Sequence, residues 1–186
     1  MELTKTKIEN ETKYAVKGVK NHRGHEGEPL AQCSVYCNGK RVALYSDGDH
    51  GGEARLDWLD NDKPRVKVET TNYKGEPWVM NCTPQEAALY AHVKGKVWFV
   101  SDVGDNKETM HTPESYISEL ISIVEEEKYW KKICKNKTAV KFASHGDNQF
   151  VTFKEAYTPD QRAGLEAWAK KNGEEIVEIY NERFIK

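Results

Sequence analysis

The sequence predicts an α+β fold: an N-terminal antiparallel β-meander, then a mixed part with three Thr-Pro-capped helices and further antiparallel strands. Three observations predict it. Asn38-Gly39 lies between two alternating apolar runs and suits a two-residue hairpin turn. Thr-Pro recurs at Thr83-Pro84, Thr112-Pro113 and Thr158-Pro159, each time ahead of a helix-prone run. Residues 1–72 read almost wholly as strand, whereas the rest alternates between helical and extended patterns.

Each element has its own signal. Lys13 to Lys20 is β-prone through Tyr14, Val16 and Val19, and a glycine-rich loop from Asn21 to Pro29 follows. Leu30–Cys37 and Lys40–Ser46 are the arms of the hairpin. Strict two-residue alternation puts Cys33, Val35 and Cys37 on one face with Val42 and Leu44. It puts Gln32, Ser34, Tyr36, Arg41, Ala43 and Tyr45 on the opposite, half-polar face. Ala54 to Trp58 and Arg65 to Thr71 alternate again, which extends the meander to four or five strands.

Helices are expected at Pro84 to about Val93, Pro113 to about Lys135 and Pro159 to Asn172. In the first and third, Glu86 and Gln161 stand three residues after the Thr and complete a capping box. Tyr116, Ile117, Leu120, Ile121, Ile123, Val124, Trp130 and Ile133 give the second an apolar stripe. Lys96–Ser101, Thr138–Ser144 and Gln149–Lys154 read as strands, the last two as a hairpin, and Ile176–Tyr180 as a final strand. The 186 residues suit a single domain, 1–186, with subdomains 1–72 and 78–186 meeting near Tyr73–Pro77.

Composition narrows the function. A net charge of −2, from 28 basic and 30 acidic residues, argues against strong nonspecific nucleic-acid binding. The longest apolar runs, at 87–91 and 96–100, are too short to span a bilayer. Met1 to Asn10 lacks an apolar signal segment, so a cytoplasmic setting is expected, with four free cysteines. Cys33 and Cys37 share a strand face but stand ~13 Å apart, too far to hold one metal.

Residues 21–58 hold six glycines and three of the six histidines. His22, His25, Asp47, Asp49, His50 and Glu53 flank the open end of the hairpin, where they could converge on a divalent metal and serve a small hydrolase or nuclease. The competing reading is a pair of solvated loops whose acids cap backbone N–H groups. Lys128, Trp130, Lys131, Lys132 and Lys135, with Lys137, could grip a nucleic-acid backbone while Trp130 stacks on a base. The competing reading is a helix C-terminus whose cations complement the dipole after Glu125–Glu127. No nucleophile motif is present, and His92 and His111 read as structural or surface residues.

The stretch HRGHEGEPLAQCSVYCNGKRVALYSDGDHGGEARLDW resembles a pattern of small proteins encoded by bacteriophages and prophages. The shared features are Arg23-Gly24-His25-Glu26-Gly27, Asn38-Gly39-Lys40 and the run Asp47 to Glu53. Cys134–Thr138, the second hairpin and the helix ending at Asn172-Gly173 look like the same group. The resemblance implies a mobile-element accessory protein in a bacterial cytoplasm and carries no reaction. With no complete catalytic motif, the expectation is a non-catalytic protein that binds and blocks a host or defence protein. Tyr36, Arg41, Tyr45, Arg23 and Glu26 are its candidate surface, since Tyr and Arg are enriched at interfaces. No cofactor is expected.

Overall fold

The structure is a computed structural model, described here for residues 14–48, 52–71, 76–100, 108–146 and 149–185. The chain is α+β, as its sequence predicts. It divides into two compact units, residues 1–124 and 125–186. That division falls inside the long second helix, not near residues 73–77, where the shift in composition placed it.

In the first unit, β1 (Tyr14–Arg23), β2 (Pro29–Cys37), β3 (Lys40–Ser46) and β4 (Arg55–Trp58) form an antiparallel sheet in chain order. The fifth strand, β5 (Val66–Thr71), leaves the meander and pairs with β6 (Pro77–Cys82), a strand the sequence reading omitted. A second ribbon joins β7 (Val97–Val100) to β8 (Glu108–Met110). Among the described residues no helix is long and apolar enough to cross a membrane.

The β2–β3 turn is the one Asn38-Gly39 implies: both residues have positive φ, 50° and 78°. A Cβ on Gly39 would meet nothing within 4 Å, so a side chain there costs backbone strain rather than a clash. Gly39→Val is expected to destabilise the fold by roughly 1–3 kcal/mol, and an unchanged urea midpoint would contradict that assignment.

Past the turn, simple alternation fails. Tyr36 stands opposite Arg41, but Val35 stands opposite Ala43, so β3 carries one extra residue at Val42. The bulge inverts the facing of everything after it. Ala43 and Tyr45 join Cys33 and Val35 in the core, while Leu44 turns outward. Tyr45 is 3% exposed and Leu44 41%, so Tyr45 leaves the candidate surface and Leu44 enters it. The Tyr45 hydroxyl donates to Asp47 at 2.5 Å, and burial pushes its pKa well up. A second bulge interrupts β1 between Lys17 and Lys20, where Gly18 has φ 66°.

The inner face of the sheet packs on two helices, α1 (Pro84–Val93) and the first half of α2 (Pro113–Cys134). Leu89 and Val93 of α1 and Tyr116, Ile117, Leu120 and Ile121 of α2 meet Tyr14, Val16, Val35 and Trp58 in one core. Ile121 is buried and Ser122 exposed, which confirms the register the apolar stripe implies. Reciprocal caps start both helices. Thr83 Oγ1 accepts from Glu86 N and the Glu86 carboxylate from Thr83 N, each at 3.1 Å. Asp60 accepts from Gln85 N at 3.0 Å and so adds a carboxylate to the positive end of α1. On α2, Ser115 fills the place of the usual acid: Thr112 Oγ1 accepts from Ser115 N, and Ser115 Oγ from Thr112 N.

In the second unit, β9 (Thr138–Phe142) lies between β10 (Val151–Phe153) and β11 (Ile176–Ile179), antiparallel to both. The hairpin and the final strand are those the sequence predicts. The third Thr-Pro start gives one 3-10 turn, Pro159–Gln161, before α3 (Arg162–Lys171). Alternation along β9 covers both faces of this small sheet. Ala139 meets Trp130 and Tyr180, while Val140 and Phe142 meet Tyr157, Ala169 and Ile179. Asn181, in a closing 3-10 turn (Tyr180–Phe184), is buried and spends its amide on the backbone. It accepts from Ala139 N at 2.8 Å and donates to the carbonyls of Lys137 at 2.8 Å and Cys134 at 3.2 Å.

Candidate functional site: the outer face of the N-terminal sheet

The face of the β1–β4 sheet turned away from the helices is built by the two bulges. Lys17 and Lys20 lie three apart, as do Arg41 and Leu44. An unbroken strand would send the members of each pair to opposite sides. The extra residue in each strand returns both members to one side, a recurrent use of β-bulges. Three rows result. Ala15, Tyr36 and Arg41 form the row nearest the turn; Lys17, Ser34, Leu44 and Asp57 the middle; Lys20, Gln32, Ser46 and Arg55 the far row.

Four cations therefore share this face with one carboxylate, in a chain of net charge −2. The carboxylate, Asp57, is tied to Arg55 at 2.7 Å. The Lys17 ammonium sits 4.8 Å above the Tyr36 ring, in cation–π contact. Lys17, Lys20 and Arg41 are exposed, Tyr36 is half-buried, and Leu44 is an open aliphatic centre. Such a face can hold an anionic surface through charge and make apolar contact at Tyr36 and Leu44.

Tyr36 and Arg41 thus stand together, as expected. Arg23 and Glu26 do not join them: Arg23 pairs with Pro29 at the other end of the hairpin, and Glu26 lies in the exposed loop beyond. Tyr36 lies seven positions beyond Pro29 along β2, or about 23 Å.

Asp47, where the second glycine-rich loop begins, lies at the end of the sheet that carries the first, as the topology requires. Asp47 N donates to Ala31 O at 3.0 Å and Asp47 Oδ2 accepts from Ala31 N at 2.7 Å. That pairing, with the Tyr45 hydroxyl, commits both oxygens of Asp47 to holding the loop. His22, His25 and Glu53 are exposed, while Asp49 and His50 lie outside the described residues. Among the described residues no group of three or more His, Cys, Asp or Glu side chains is placed to hold a metal.

The lysine-rich end of α2 lacks the stacking platform expected there. Trp130 is 6% exposed, lies parallel on Tyr180 with 3.7 Å between ring centroids, and donates to Glu126 at 3.0 Å. A Trp in a helix is core when the next layer supplies a ring, and Tyr180 supplies it from 50 positions downstream. Lys131 pairs with Glu127 at 2.5 Å; Lys128, Lys132 and Lys135 are exposed.

One cluster escaped the sequence reading. The nearly buried His111 ring reaches Glu119 Oε2 through Nε2 at 2.8 Å and Ser115 Oγ through Nδ1 at 3.2 Å. Burial pulls the His111 pKa below its usual value and raises that of Glu119. The Nε2–H of His111 donates to the Glu119 carboxylate. Ser115 Oγ already accepts from Thr112 N and contacts the Thr112 carbonyl at 3.1 Å, so this serine serves the helix cap. The signal in the sequence was the spacing of His111, Ser115 and Glu119, four apart along one side of a helix start.

No known family comes out. No family model, curated protein or solved structure matches the chain.

Proposed function

We propose that the protein is a non-catalytic binding protein, a phage-type accessory factor that covers an acidic patch on a host or defence-system protein. The observation that carries this reading is the outer sheet face, where the exposed Lys17, Lys20 and Arg41 share one side of the sheet with Tyr36 and Leu44. Charge complementarity would steer the encounter, and the Tyr, Arg and Leu side chains would supply the contact that is desolvated. Four strands about 4.8 Å apart give a patch near the small end of stable interfaces, so binding should depend on salt. The bacterial cytoplasmic setting rests on the resemblance of residues 22–58 to phage and prophage proteins.

The test is capture from nuclease-treated bacterial lysate on the immobilised full chain, compared with a Lys17→Glu/Arg41→Glu double variant. A host protein held by the wild type at low salt should be lost in high salt. The variant should hold it at least about tenfold more weakly. Its urea midpoint should stay within about 0.5 kcal/mol of the wild type, because both positions are exposed. Equal capture by the two proteins overturns the reading. Capture that is seen from untreated lysate and is absent after nuclease treatment moves the same face to a nucleic-acid ligand, with Tyr36 as its stacking ring.

A further inference from the structure

The second unit carries an open groove of about 410 Å³ between the end of the β9–β10 hairpin and the stripe Gln161, Gly164, Leu165 and Trp168. Its volume lies within the range of small-molecule sites. Two aromatic rings form its corner. Phe153 and Trp168 meet at 87° with centroids 5.6 Å apart, and Trp168 stays 43% exposed although it also touches Phe142.

Gly164 lies within α3, where glycine costs about 1 kcal/mol relative to alanine. The protein's own packing does not require it: a Cβ there would meet nothing within 4 Å. Its effect is to leave the helix backbone bare in the groove, one turn from Trp168.

The one charged residue lining the groove is Glu155. Its backbone carbonyl accepts from the Thr138 hydroxyl at 2.8 Å, which anchors the residue at the groove wall. Its carboxylate has no hydrogen-bond or ion-pair partner among the described residues. Arg162, at the start of α3, is engaged by Glu166 at 2.9 Å and by both oxygens of Glu182 at 2.7 Å. The groove is therefore lined by two aromatic rings and by one acidic residue whose carboxylate is unpaired among the described residues, the combination that selects an organic cation.

We propose that this groove binds a small organic cation: an ammonium head carried on an apolar or aromatic body, with the head at Glu155 and the rings and the body over Gly164. Recognition is by Coulomb attraction and cation–π contact, with no covalent step. The site lies wholly in residues 138–168 and does not depend on the sheet face of the first unit.

The test is a titration of the full-length protein, followed by two-dimensional amide and indole NMR. The probes are benzyltrimethylammonium, benzyl alcohol and phenylacetate. The cation should bind saturably with Kd below about 1 mM, and its shifts should centre on Thr138, Phe153, Gly164, Leu165 and the Trp168 indole. Phenylacetate should bind at least about tenfold more weakly, with benzyl alcohol between the two. Glu155→Gln should weaken the cation and leave the alcohol unchanged. Gly164→Leu should close the groove to all three probes while the fold is kept, since leucine is the better helix former. The proposal is overturned by any of three results: no saturation by the cation up to about 10 mM, phenylacetate binding as tightly as the cation, or Glu155→Gln without effect on the cation.

Discussion

Phe142→Ala is expected to cost about 3–5 kcal/mol, the usual loss when a buried aromatic is cut back to a methyl group. Phe142 is among the largest fully buried side chains, and it meets Val140, Tyr157, Ala169 and Ile179 in the core under α3. The Trp168 ring is 5.7 Å away and the His145 ring 5.6 Å. Residues 125–186 make a small unit, and small units bury too little surface to lose so much and stay folded. The variant should therefore lose the packing of Trp130 and Trp168, read as a red shift of tryptophan emission and a urea transition moved to much lower concentration. A urea midpoint equal to wild type would show that Phe142 does not support the second core.

Ile117→Ala is expected to cost about 2–5 kcal/mol in the first core. Ile117 is fully buried on α2, among residues of the sheet and of α1. Ser122, on the outer side of the same helix, returns its hydroxyl to Ser118 O at 3.1 Å, so Ser122→Ala should be nearly silent. Urea melts of the pair read the orientation of the helix. If Ser122→Ala proves the costlier, the apolar stripe faces solvent and the packing described above is wrong. Glu119→Ala should cost more than Ser122→Ala, because the Glu119 carboxylate accepts from the nearly buried His111 ring.

What the sequence revealed, and what it hid, follows from the range of the forces involved. Asn38-Gly39, the three Thr-Pro starts and the stripe of α2 act within a few residues, so they read directly. The bulges at Gly18 and Val42 do not. Whether a strand takes an extra residue is decided by the ladder beside it, and two-residue alternation misplaces each residue beyond the insertion. That is why alternation alone places Tyr45 outside and Leu44 inside. The same two insertions hide the candidate face from simple alternation, since its cations share a side only through them. The ring that buries Trp130 comes from Tyr180, which no local pattern links to it. Asp47 looked like a ligand by type, yet its oxygens answer the amide of Ala31 and the hydroxyl of Tyr45.

The claim that most needs a direct measurement is that the outer sheet face is the surface that meets a partner. Other exposed apolar side chains compete for that role, among them Trp78 and Val79 on the β5–β6 ribbon. Hydroxyl-radical footprinting of the full chain, free and bound to the captured protein, separates them side chain by side chain. Oxidation at Tyr36 and Leu44 should fall on binding, while Trp78, Tyr129 and Trp168 keep their free-state reactivity. Protection of Trp78 or Trp168 with Tyr36 and Leu44 unchanged would contradict it.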